Sequence, residues 1–211
     1  MKNKAPEIQA KLNGLCEKMR KAGYKEFPIN KVIELVNELE QRGVLGIDEF
    51  LKILSQRLSS GEEEYRDILR EGRFARILAR NGFKQIEIEY AKQGPDVKAH
   101  YNKRTVYFEI RRIRENEEDK AIHRSKDGVG GISPYRIDNL CSIIQDKKKQ
   151  LKSDELNIVV LWSDTGSLGD REFDEAVQEI QQEIDSASQT YRKLSGLLFT
   201  RAVSYNYGIL E

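Results

Sequence analysis

The stretch GPDVKAHYNKRTVYFEIRRI, Gly94 to Ile113, decides how this chain is read. It holds two alternating runs joined by a short polar turn. Asp96, Lys98 and His100 share one face of the first run. In the second, Val106, Phe108 and Ile110 face one way while Tyr107, Glu109 and Arg111 face the other. A period of two residues is the signature of a β-strand, and the turn at Asn102 to Arg104 makes the pair a hairpin. With the two strands as neighbours, Asp96 and Glu109 fall at the same end of one sheet face. Converging carboxylates offer hard oxygen ligands of the kind Mg²⁺ or Mn²⁺ takes, with water and phosphate completing the shell. An ion held there can polarise a phosphate and activate water.

Upstream, the first 60 or so residues read as helices. PEIQAKLNGLCEKMRKAG repeats apolar side chains at Ile8, Leu12, Leu15, Cys16 and Met19, and stops at Gly23. NKVIELVNELEQRG opens at Asn30, an expected N-cap, and IDEFLKILSQRLS follows from Asp48. Ser60 with Glu63 three residues later is a capping-box pattern, so a helix is expected from there to about Asn81, ending at Gly82. KQIEIEY then alternates as a strand.

Downstream, Glu115 to Ile132 has no useful period and holds Gly128, Gly130 and Gly131, which reads as a long loop. Ser133-Pro134 starts a helix expected to continue through Leu151. LNIVVLW is continuously apolar, as in a strand buried on both faces. A helix from about Asp170 and a strand at LSGLLFTRA complete the chain. The order is helices, then α-β-β-β-α-β, then α-β. It predicts a mixed sheet flanked by helices, with Thr105–Ile110 and Leu156–Leu161 among its central strands. The expected division is a helical region over 1–59 and a second domain over 60–211.

Pro95-Asp96, a hairpin, then Glu109-Ile110-Arg111 resembles the motif of the PD-(D/E)XK phosphodiesterases, the restriction-endonuclease-like superfamily. EGRFARILARNGF, with Glu71 and the Gly82-Phe83 exit, is similar to the first helix of its Holliday-junction-resolvase-like members. KKKQL, Lys147 to Leu151, resembles the end of their next helix. The likeness runs from about Ser60 to Ala202. It implies an αβββαβ nuclease core and a magnesium-dependent deoxyribonuclease activity. Glu71, Asp96, Glu109 and Arg111 would form its site, with Asp96 and Glu109 on the metal. Enzymes of this fold commonly pair, so a homodimer is also implied.

Arg111 departs from the motif, which has lysine there. A guanidinium holds phosphate in a forked contact but keeps its proton at neutral pH, so it cannot serve as a base. Lys98, Lys148 and Gln150 are the candidate helpers. Because of this departure a second expectation stands: a catalytically inactive module of the same fold, binding nucleic acid or, through its N-terminal helices, a partner protein. Taken singly, Asp96 after a proline is an ordinary turn acid, and Glu109 with Arg111 is an ordinary charged sheet face. Ordinary salt bridges in a scaffold protein are the third reading.

The 211 residues carry 36 Lys and Arg against 35 Asp and Glu, so nucleic-acid binding has to rest on local patches. Lys98, Lys103, Arg104, Arg111, Arg112 and Arg114 surround Glu109, and Lys147 begins a second cluster. Of these, Lys103, Arg104, Arg112 and Lys147 are the expected contacts to DNA. No apolar run approaches the roughly 20 residues of a membrane helix, and the N-terminus has no signal core. Cys16 and Cys141 match neither a zinc spacing nor a disulfide framework, and a cytoplasmic setting is expected.

Overall fold

A computed structural model describes residues 5–88, 95–113, 134–147, 151, 155–163, 170–186 and 193–201. It forms two compact units, Met1–Phe108 and Glu109–Glu211. The described residues form six helices and a five-stranded mixed sheet: α1 (Ala5–Lys21), α2 (Glu26–Gln41), α3 (Ile47–Ser60), α4 (Glu62–Arg80), β1 (Lys84–Ile88), β2 (Val97–Tyr101), β3 (Arg104–Ile113), α5 (Pro134–Lys147), β4 (Leu156–Ser163), α6 (Asp170–Ser186) and β5 (Gly196–Arg201). In space the strands run β1-β2-β3-β4-β5. The expected central strands are therefore β3, in the middle, and β4 beside it.

The first unit is built on the apolar stripes of α1 to α4. Ile8, Leu12, Leu15, Cys16 and Met19 are buried as the helical period requires, and Gly23 ends the run with a left-handed φ of +86°. The helices α3 and α4 approach closely because Gly72 has no side chain. A Cβ there would sit 2.5 Å from Cζ of Phe50, itself fully buried. The expected boundary at residue 59/60 falls at this α3–α4 junction, inside the first unit.

Two helix starts differ from expectation. Asn30 lies inside α2, which begins at Glu26 after Lys25. Pro28 is tolerated there because the first turn needs no N–H donor. Ser60 is the last residue of α3, where its hydroxyl donates to the Gln56 carbonyl; Gly61, at φ +155°, precedes α4 without a side-chain cap. The capping box is thus not made, and the acids Glu62, Glu63 and Glu64 instead complement the start of α4.

A loop stitches this helical layer to the sheet. Leu45 N–H donates to the Ile86 carbonyl at 2.8 Å, and Ile88 N–H to the Leu45 carbonyl at 3.1 Å. This single parallel bridge occupies backbone groups of β1 that β2 leaves open. β1 pairs antiparallel with β2, with an irregularity at Gln85, whose φ is +46°. β2 pairs antiparallel with β3 from Tyr101↔Arg104 to Val97↔Phe108, and the connecting turn is Asn102-Lys103, both at positive φ.

In the second unit β4 and β5 are parallel, from Ile158↔Gly196 to Ser163↔Arg201. Ile113, Leu140, Ile144, Val159, Leu161, Ala176 and Ile180 form its core. The buried amide of Asn157 donates to the carbonyls of Glu155 and Lys193, both at 2.9 Å, and ties the two strands at their start. Leu151 is a buried bend rather than helix. Both cysteines are free and buried; Cys141 donates its thiol to the Glu179 carboxylate at 3.3 Å. No helix among the described residues is long and apolar enough to cross a membrane. The segment from Arg114 to Ser133, including the loop read from sequence, lies outside the described residues.

Candidate functional site

Glu71 lies in α4 on the stripe formed with Phe74, Ala75 and Leu78, at i+3, i+4 and i+7, and is only 7% exposed. A carboxylate inside an apolar stripe is costly unless cations, hydrogen-bond donors or a metal offset the burial. Asp96 follows buried Pro95 and is half-buried, immediately before β2. Glu109 is 1% exposed and begins the second unit. Of the three expected site acids, Glu71 and Glu109 are buried and Asp96 is the most open.

The basic residues divide. Arg111, the expected phosphate contact, is exposed, whereas Arg112, also expected to touch nucleic acid, is buried at 5%. Along β3 the face of Tyr107, Glu109 and Arg111 passes from half-buried through buried to exposed. Lys98, a candidate helper, pairs across the sheet with Glu87 and reaches its carboxylate at 3.6 Å. Lys103 and Arg104 are exposed at the hairpin end. Lys147 closes α5. Lys148 and Gln150 lie outside the described residues.

Among the described residues, no three His, Cys, Asp or Glu side chains gather as a metal-binding group. A magnesium site built on one or two carboxylates, with water and phosphate as the other ligands, needs no such trio. Asp96 and Glu109 are each carboxylates, the hard oxygen donors that magnesium takes.

The hairpin also carries an aromatic side chain that the pattern of charges does not point to. Tyr101 is 45% exposed, and its ring centroid lies 4.7 Å from that of Phe83. The available signal was an aromatic residue directly before a basic turn, at the strand end where alternation no longer guarantees burial.

No protein-family description, no curated protein and no solved structure matches this chain.

Proposed function

We propose that the chain is a magnesium- or manganese-dependent nuclease, a hydrolase of DNA phosphodiester bonds with a restriction-endonuclease-like core of the PD-(D/E)XK type. The observation that carries the reading is the register of the hairpin. Val97 and Phe108 are partners in the β2–β3 ladder; Asp96 immediately precedes the first and Glu109 immediately follows the second. The succession α4-β1-β2-β3-α5-β4 supports it, and Glu71 and Glu109 are both buried.

In this reading Asp96 and Glu109 hold the ion, and Glu71 orients water or the ion's outer ligands. When bound, the ion supplies Lewis acidity toward phosphate and water. Arg111 keeps its positive charge throughout and grips a phosphate oxygen pair, which positions the scissile group without accepting a proton. Lys103 and Arg104 add sequence-independent attraction to the backbone of the substrate.

The test is cleavage of labelled single-stranded, duplex and branched DNA with Mg²⁺ or Mn²⁺. Cleavage that disappears in Glu109→Gln supports the reading. No cleavage of any form with either metal rejects it. Arginine at position 111, where the motif has lysine, favours a second reading: an inactive module of the same fold that binds nucleic acid. DNA binding without cleavage would select that reading.

A further inference from the structure

We propose that the tip of the β2–β3 hairpin is a stacking platform for unpaired bases of a nucleic-acid strand. The class of partner rests on the nucleic-acid reading above; the platform is a feature that reading does not contain. Tyr101 ends β2 with its ring 4.7 Å from that of Phe83 and 30° from parallel. Phe83 meets Phe108 edge-on at 5.9 Å, and Phe108 meets Phe74 edge-on at 5.1 Å. Phe74 and Phe108 are buried, at 2% and 4% exposure, while Tyr101 is 45% exposed. The four rings form a series anchored in the core and ending in solvent. An outer ring supported in this way has little freedom left to lose when a flat partner stacks on it.

The charges around the ring are cationic. Arg104 is the cross-strand partner of Tyr101 and shares its face. Lys103 stands in the adjoining turn. Lys103 and Arg104 are exposed, and among the described residues neither forms an ion pair. The nearest acid of the β1–β2 ladder, Glu87, is engaged by Lys98.

An exposed aromatic ring bordered by free cations matches a nucleic-acid strand in both its parts. The base takes the ring face, and the phosphates take the cations. An acidic peptide would use the cations and leave the ring unexplained. Single-stranded segments fit better than an intact duplex, whose bases are already stacked on one another. Five residues of extended chain separate Tyr101 from Asp96, about 17 Å at the usual strand rise. The platform would therefore grip a strand several nucleotides from the proposed cleavage position, as suits a substrate with a frayed or single-stranded arm.

The experiment is fluorescence anisotropy of the full chain with a labelled oligothymidylate and with a blunt duplex of equal length. Chelator is present, so that no cleavage intervenes. The single strand is expected to bind more tightly. Tyr101→Ala should weaken it about tenfold or more, and Tyr101→Phe should not. Arg104→Gln should lower the slope of log affinity against log salt by about 0.7, which Tyr101→Ala should leave unchanged. If Tyr101→Ala loses its thermal unfolding transition, Tyr101→Leu, which keeps apolar bulk without a π-face, carries the same expectation. Equal affinity in the folded variants overturns the proposal, as does wild-type protein that binds an acidic peptide but neither oligonucleotide. Cleavage by wild type with affinity independent of Tyr101 would remove the platform and leave the nuclease reading. Tyr101-dependent binding without cleavage would do the reverse.

Discussion

Replacing Gly46 by alanine separates backbone strain from collision. Gly23, Gly43 and Gly82 share its left-handed backbone, with φ of +86°, +69° and +85° against +82° at Gly46. A Cβ at the first three meets nothing within 4 Å, so alanine there carries only the left-handed penalty, about 1–2 kcal/mol. At Gly46 the added carbon would land on the carbonyl oxygen of Ile88, well inside van der Waals contact, and 3.3 Å from its carbonyl carbon. That backbone is not free to retreat, because Ile88 N–H is bonded to Leu45 and Leu45 N–H to Ile86. Relief requires opening this bridge, about 1 kcal/mol for each bond. The sum is about 3–4 kcal/mol for Gly46→Ala against about 1–2 kcal/mol for Gly23→Ala. In a chain of this size each kcal/mol moves Tm by about 2–4 °C. Differential scanning calorimetry of the two variants should show a drop at least twice as large for Gly46→Ala. Equal drops would refute the claim that the loop after α2 is locked onto the edge of β1.

Other outcomes follow from single side chains. Forked hydrogen bonds from Arg80, at 2.7 and 2.6 Å, and a bond from Arg42 hold the Glu38 carboxylate down to about 2. A carboxylate lowered on folding stabilises above its unfolded value, about 4.3, and loses that contribution as pH falls toward 2. Both arginines are largely solvent-exposed, so the contribution is about 1 kcal/mol, and Glu38→Gln should flatten stability against pH between about 5 and 2 in denaturant titrations. Lys103→Gly should raise stability by about 0.5 kcal/mol, because glycine removes the left-handed penalty at φ +65° and costs part of that gain in chain entropy. The same variant should bind the single strand less tightly, for want of one cation. Arg111→Lys should raise the cleavage rate about tenfold or more, since lysine can surrender a proton beside metal and phosphate where arginine cannot. A lower rate would mean that the forked phosphate grip of arginine matters more than a base.

The helical and strand periods were legible because burial enforces them. The stripe Ile8, Leu12, Leu15, Met19 of α1 can satisfy its apolar groups in only one way, and the unbroken apolar run of β4 in only one kind of strand. Helix ends were less legible. Ser60 fits the capping box perfectly well in one dimension, yet α3 runs through it, and the break falls one residue later at glycine. Asn30 has the right chemistry for a cap but follows Pro28, which opens the helix earlier. In the candidate site, residue types and their order along the chain could be read, and degrees of burial could not. Arg111 and Arg112 are the same residue side by side, and only packing makes the first exposed and the second buried. Tyr101 shows the converse: it shares the side of β2 on which Val97 and Ala99 are buried, yet at the strand's end it is exposed.

Titration calorimetry with Mn²⁺ on wild type, Asp96→Asn and Glu109→Gln tests most directly whether the two carboxylates share one ion. The expected result is one ion bound by the wild-type chain and no measurable binding by either variant, with all three keeping their thermal unfolding transition. Equal heats in the three proteins would contradict it.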